Sequence, residues 1–418
     1  MDRPESAIAA PRHGARRGVA ADELRRHNLA AVLERLHLSG RVSRSELATI
    51  TGLNRSTIAD LIGELTDLGL VEEEPGPAAA GPGRPSSVVR TRPQGAVVLA
   101  IELTVDSVAV ATVGLGGHVY NRLRVARPRE RFSPEETVQD VARLAGPLLD
   151  SLPANHARAG VGVAVAGVSR RSDGFVHLAP NLGWRGVPLA SMLTSELGVT
   201  ESVLVANDAD LGALGEYRRG SHSAVRDMIY VSGEVGIGSG VIHDGKPLLG
   251  AAGYAGEAGH MLVNPTGQKC RCGAVGCWET EAGEAALLRY AGSPTNATGL
   301  RALDVIAERA AAGNTATLHA IAEVGRWLGL GVGDLINLFN PELVVLGGLY
   351  HRLYPHLETS VVDGARIRTL DAPGEMATIV RSNLGSDAPL IGAAELVLSE
   401  VIADPAGADR RGGRPVEA

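Results

Sequence analysis

The chain has 418 residues, of which 44% are hydrophobic and 21% charged, and a formal net charge of −7. Length and balance allow two or three domains around a large core, and they exclude a disordered or fibrous protein. The three cysteines all lie between positions 270 and 277, which argues against a disulfide framework and for a metal site in a reducing compartment. The longest apolar runs, such as 96–103 with Glu102 inside it, fall short of a membrane span, so a cytoplasmic protein with no membrane partner is expected.

Charge is unevenly placed. Residues 1–58 hold ten arginines against six acids, a net of +4, which leaves −11 for residues 59–418. A basic front on an acidic body fits a small DNA-reading module joined to something else. Residues 1–20 read as a disordered tail. Over 22–38, Leu29, Val32, Leu33 and Leu36 fall on one helical face, and Gly40 ends the run. Ser43 and Glu46 have the spacing of a capping box that opens a short helix running to Gly52. Asn54 then caps a third helix, with Leu53 and Ile58 placed as a hydrophobic staple. This helix buries Ile58, Leu61, Ile62, Leu65 and Leu68, and its other face opens with Arg55, Ser56 and Thr57.

Two strands at 70–72 and 86–90, joined by a loop at 75–85, complete a winged helix-turn-helix over residues 21–92. Small and cationic side chains at the start of a recognition helix suit base edges and phosphates in the major groove. The expected DNA contacts are therefore Arg44, Asn54, Arg55, Ser56 and Thr57, with Arg84 of the wing reaching a minor groove. Glu72, Glu73 and Glu74 repel phosphate and are expected to face away from it. The bland alternative is a three-helix packing module with no nucleic-acid role.

Beyond Arg92 the pattern changes. Apolar strands are predicted at 97–103, 108–113, 159–166, 203–205, 228–231 and 240–242, with a polar run at 120–125. Helices are predicted at 135–149, 281–290 and 315–337, and a buried strand at 343–346 ends in Gly347-Gly348. Such alternation indicates α/β layers, and two halves enclosing a cleft fit residues 93–403. Residues 404–418 read as a second disordered tail.

The sharpest signal lies between Gly256 and Glu279. His260, Cys270, Cys272 and Cys277 supply one imidazole and three thiolates, a complete tetrahedral shell for one structural Zn2+ per chain. Four protein ligands leave no open position for a metal-bound water, so catalytic zinc is not expected. The competing reading is a cluster of free redox thiols. Glu257 and Glu279, which bracket the cluster, belong to no zinc finger.

Together with Ala179-Pro180-Asn181-Leu182, Trp184, Asn207-Asp208-Ala209 and the Gly-Glu-x-Gly-His run at 256–260, this cluster resembles the ROK family of bacterial repressors, uncharacterised reading frames and sugar kinases. The resemblance runs from residue 22 to residue 400, and the front module resembles the repressor branch, because the kinases lack it. It implies a two-lobed, actin-like (RNase H-like) α/β domain behind a winged helix-turn-helix. It also implies that Asn207, Asp208, Glu257, His260 and Glu279 hydrogen-bond sugar hydroxyls, with Gly167 and Asn181 lining the same cleft. His260 is then given two tasks, one ring nitrogen on the metal and the other toward the sugar.

Asp208 matches the kinases' general base, but the phosphate loops depart from the kinase pattern. Where those enzymes carry Asp-x-Gly-Gly-Thr, this chain has Glu102-Leu103-Thr104-Val105-Asp106, and Glu234 replaces a threonine in the second loop. Carboxylates there repel nucleotide phosphates. The expectation is a sugar-responsive transcriptional regulator, most simply a repressor, without kinase activity and with no catalytic residue in use. Its expected partners are palindromic operator DNA, a sugar or sugar derivative, and one or three further copies of the chain. The alternatives are a sugar kinase with a fused DNA-binding head, and a repressor that answers to a phosphorylated sugar or a protein.

Overall fold

The computed structural model describes residues 13–75, 87–129, 132–222, 224–293 and 298–407. The head comprises α1 (His13–Ser39), β1 (Arg41–Ser43), α2 (Arg44–Thr51), α3 (Arg55–Asp67), β2 (Val71–Glu74) and β3 (Val88–Thr91). Local chemistry sets its turns. Ser43 and Glu46 close a reciprocal capping box on α2, and Gly52 ends that helix with φ 69°. The Asn54 side chain accepts from the Thr57 amide at 2.8 Å to start α3. Ile58, Leu61, Ile62 and Leu65 turn inward onto Leu29, Val32, Leu33 and Leu36 of α1. The three short strands pair in the order β1-β3-β2.

The body is two lobes of the same topology. Lobe 1 holds β4 (Val97–Leu103), β5 (Ser107–Gly114), β6 (His118–Ala126), α4 (Pro134–Asp150), β7 (Arg158–Val165), β8 (Val168–Arg170), β9 (Phe175–Ala179), β10 (Trp184–Val187), α5 (Leu189–Leu197) and β11 (Val203–Asn207). Its main sheet runs β6-β5-β4-β7-β11, an antiparallel meander extended by two parallel strands. A helix between the lobes, α6 (Asp208–Arg219), leads to lobe 2. That lobe contains β12 (Met228–Gly233), β13 (Ile237–His243), β14 (Lys246–Pro247), α7 (Trp278–Ala282), α8 (Glu284–Tyr290), α9 (Gly299–Ala311), α10 (Thr315–Phe339), β15 (Leu343–Gly347), α11 (Gly348–Arg368), α12 (Asp371–Met376) and β16 (Thr378–Arg381). Its sheet, β14-β13-β12-β15-β16, repeats the first: meander, then two parallel strands. Two such sheets around a cleft are the α/β halves that the alternation of strands and helices predicted, in the actin-like architecture that the resemblance implied.

The last helix, α13 (Ala388–Ala403), crosses back to cover the lobe 1 sheet. Leu390, Ala394, Val397 and Val401 of α13 share one continuous apolar core with Val98 and Ala109 of lobe 1 and with Leu33 and Leu36 of the head. Among the described residues no helix is long and apolar enough to cross a membrane.

The structure revises several expected boundaries. Helix α1 starts at His13, so the expected disordered tail is helical from 13 to 20; alanines and arginines there are strong helix formers. Residues 1–12 lie outside the described residues. The C-terminal tail holds a 3-10 turn at Pro405–Gly407 with Pro405 buried, and only 408–418 lie outside. The predicted helix at 281–290 is two helices, parted at the extended Gly283.

Candidate functional site

The lobes meet in a cleft of about 390 Å³, within the range of small-molecule pockets. All seven residues expected around a sugar line it: Gly167, Asn181, Asn207 and Asp208 from one wall, Glu257, His260 and Glu279 from the other. β11 delivers the first pair of polar groups. Asn207 ends that strand and caps α6, its carbonyl accepting from the Ala209 and Asp210 amides at 2.8 and 3.2 Å. Its amide donates to the Gly167 carbonyl at 3.1 Å. Asn207 is thus mainly a brace, with one N–H left for a ligand. A side chain at Gly167 would collide with the Leu178 carbonyl at 2.5 Å, which explains the glycine.

Asp208, in the first turn of α6, faces the cleft. Burial pushes its pKa up to about 6; the Ala209 amide opposes the rise and Glu257 adds to it. Two residues on, the buried Asp210 is pushed up to about 7, first by burial and then by Asp208 and Glu257, against the pull of Arg171. Sequence reading missed Asp210. Its only signal was a second acid two residues after Asp208 on a capped helix. Arg271 was missed as well. It lines the cleft and its guanidinium donates to the Asn181 carbonyl at 2.9 Å, joining the metal loop to the opposite wall. Being the one cation between two metal-type cysteines was the clue.

On the far wall, His260, Cys270, Cys272 and Cys277 present ligand atoms within 4.8 Å of one another. Cys270 Sγ lies 3.7 Å from His260 Nδ1, and Cys272 Sγ lies 3.6 Å from Cys277 Sγ. A zinc tetrahedron with bonds of about 2.3 Å to sulfur has edges of about 3.8 Å, so the donor set fits that ion. His260 turns Nδ1 to the thiols and Nε2 toward Glu257, whose Oε2 is 3.9 Å away. Glu257 stands three residues before His260, and Cys277 caps α7 two residues before Glu279. A metal held here would therefore fix both cleft carboxylates through short covalent tethers. The two ends of the loop are seated in the lobe 2 core through Ala258 and Trp278, whereas its tip is held by backbone hydrogen bonds and two isolated bridges, with Leu262 and Val275 exposed.

At the Glu234 end of the cleft three acids are neighbours, Glu234, Glu102 and Asp106. Glu102 is buried against Arg124 at 2.6 Å, and its pKa is raised, burial and Asp208 outweighing the arginine. Asp106 is held by Arg129, which also binds Glu284. Glu234 lines the cleft and sits well above the usual carboxylate range, through burial and the nearby Asp208, Glu102 and Asp106. Glu102 and Asp106 thus occupy the guanidiniums of Arg124 and Arg129, and the Glu234 carboxyl stands in the cleft lining.

In the head, Arg55 is exposed and makes no hydrogen bond or ion pair among the described residues. Ser56 donates to the Asn54 carbonyl at 2.7 Å, so both side chains serve the cap as well as the exposed surface of α3. Thr57 offers its backbone amide to that cap. The glutamate run is neutralised: Glu73 pairs with Arg44, Glu74 with Arg41 at 2.6 Å, and Glu72 with Arg90 at 2.8 Å. Arg44, expected to be free for DNA, is therefore engaged within the head. Arg84 lies outside the described residues.

A DNA-reading type of head on a two-lobed sugar-kinase-like body is the class of protein that this fold and cleft define. Residues 98–400 match the model of the ROK family, and the chain belongs to that family. It is 30% identical to a xylose repressor of Caldicellulosiruptor bescii, over 91% of this chain and 98% of that one. It is also 30% identical to a glucokinase of Streptomyces coelicolor, but over 72% of this chain and 97% of the enzyme. Among solved structures it resembles a ROK-family transcriptional regulator, a homologue of the Escherichia coli MLC protein. The TM-score is 0.74 at 25% identity, covering 92% of this chain and 98% of that one.

Proposed function

We propose that this chain is a sugar-responsive transcriptional repressor in which a monosaccharide in the cleft sets the operator affinity of the head. One combination carries the reading. A cleft walled by hydroxyl-binding groups carries Glu234 in its lining with Glu102 and Asp106 as neighbours, in place of the kinases' phosphate loops, and the same chain carries a capped reading helix with a free arginine. Charge-assisted bonds to vicinal hydroxyls suit Asp208, Glu257 and Glu279. Similarity to xylose repressors over nearly the whole chain favours a pentose such as xylose as effector. Residues 21–92 serve as the reading unit, and residues 93–403 as the sensing and assembly unit. Zn2+ held by His260, Cys270, Cys272 and Cys277 is structural. Paired in a twofold dimer, two heads would meet palindromic half-sites about 34–36 Å apart.

The test uses the full chain and a duplex selected from random DNA. D-xylose or D-glucose is expected to weaken operator binding by about 5- to 150-fold, the usual range of allosteric coupling. A coupled ATP assay with the same sugars is expected to show no turnover; ATP consumption in step with sugar would establish the kinase alternative. Arg55→Ala is expected to weaken the selected operator by about 1–3 kcal/mol, with sugar affinity unchanged by calorimetry. Unaltered operator binding would remove α3 as the reading helix.

A further inference from the structure

The head is seated on the body by a buried polar cluster. His37, in the last turns of α1, accepts from the Gly116 amide at Nδ1 (2.9 Å), which leaves Nε2 to donate to Glu395 of α13 at 2.8 Å. Both side chains are fully buried. Arg219, the last residue of α6, donates to the other Glu395 oxygen at 2.6 Å and to the carbonyls of His37 and Gly116 at 3.0 Å each. The neighbouring Arg218 reaches Glu34 of α1 at 3.2 Å. One guanidinium thus holds the head, the turn after β5 and the final helix.

The opposite end of α6 is the ligand wall. Asn207 caps it and Asp208 faces the cleft, so 12 residues, about 18 Å of helix, join cleft to head. The helix is too tightly packed to bend. A side chain at Gly212 would lie 2.4 Å from the Tyr230 ring, and one at Gly215 would lie 2.3 Å from the Ala388 carbonyl. Glu216, between them and the clamp, accepts from the Leu384 amide at 2.8 Å. Close-packed elements of this kind move as units.

We propose that Arg219 is a positioning residue that couples the cleft to the head, with α6 as a rigid strut and His37 and Glu395 as its seat. The proposal rests on the functional reading above and adds the route by which the ligand acts.

The experiment compares the full-length parent with Arg219→Gln, Arg219→Lys and His37→Gln. Hydrogen exchange is followed without sugar, and operator affinity is measured with and without D-xylose and D-glucose. In Arg219→Gln, amides at 28–39 are expected to exchange at least about tenfold faster, while those of β12 and β15 stay protected. The ratio of operator affinities without and with sugar is expected to fall to about 1–2, sugar affinity staying within about threefold of the parent's. Arg219→Lys, which keeps the charge, is expected to restore part of the ratio. A merely structural arginine would not be rescued in that way.

An Arg219→Gln chain that folds and keeps the parent's ratio overturns the proposal. Should that variant fail to fold, the parent decides: sugar-dependent exchange at 28–39 without any at 208–219 overturns it equally. If neither sugar alters operator binding by the parent, the functional reading fails. The clamp is then judged by the sugar-free exchange alone, and unchanged protection of 28–39 in Arg219→Gln or His37→Gln refutes it.

Discussion

Cys272→Ser is expected to strip the metal and the sugar response together while ligand-free operator binding survives. A hydroxyl is a poor replacement for a thiolate on zinc, and a three-ligand site loses much of an apparent binding energy of about 10–16 kcal/mol. The tip of the metal loop, with Leu262 and Val275 exposed, adds no apolar core of its own to the anchorage that Ala258 and Trp278 give its two ends. Glu257 and Glu279 lie within three residues of His260 and Cys277, so opening the knot loosens both carboxylates in the cleft. The head keeps its own packed helices and stays bound to DNA. Elemental analysis is expected to fall from one zinc per chain to near none, and DNA-binding anisotropy is expected to become insensitive to sugar. A variant that retains both metal and response would show that the four residues are not the ligands.

Asp208→Asn is expected to weaken sugar binding by about 5- to 15-fold, because a charged hydrogen bond of about 1.5–3 kcal/mol gives way to a neutral one of about 0.5–1.5 kcal/mol. The same residue gives a pH signature. Its pKa is pushed up to about 6, so at pH 7.5 it is ionised and accepts from hydroxyls, whereas at pH 5 most of it is protonated. Affinity for sugar therefore rises with pH, by about tenfold between 5 and 7.5, and the slope fades above 6. Calorimetry across that range checks the sign. In Asp208→Asn the part of the slope due to Asp208 disappears; a parent whose affinity is flat or falls with pH would exclude ionised Asp208 as the acceptor.

The legible parts of the chain were those where local chemistry repeats. The strand predicted at 97–103 coincides with β4, because seven consecutive buried side chains leave an apolar run that only Glu102 interrupts. The caps at Ser43 and Asn54 were legible because each needs only a residue and its neighbours three positions on. The family resemblance pointed to seven of the residues that line the cleft.

What stayed hidden depends on distance or on the absence of period. Helix α13 is buried almost all round, so it carries no amphipathic stripe to betray it. β8, β9 and β10 are short and of mixed composition, and their pairing with one another defines them more than their residues do. The third strand of the head, β1, is three residues long and found its partner 47 positions later, Val42 facing Val89. The pairing of Glu72, Glu73 and Glu74 with Arg90, Arg44 and Arg41 joins residues that no local charge pattern links. No local pattern links His37 to Glu395 across 358 positions of sequence.

That last pairing has a bearing on biogenesis. The reading module leaves the ribosome ahead of the body, yet its mooring point on α13 is synthesised 358 positions after His37. Until then it is tethered but not seated, and long-range closures of this sort are slow. A truncated product lacking α13 would be left with a DNA reader that no sugar could command.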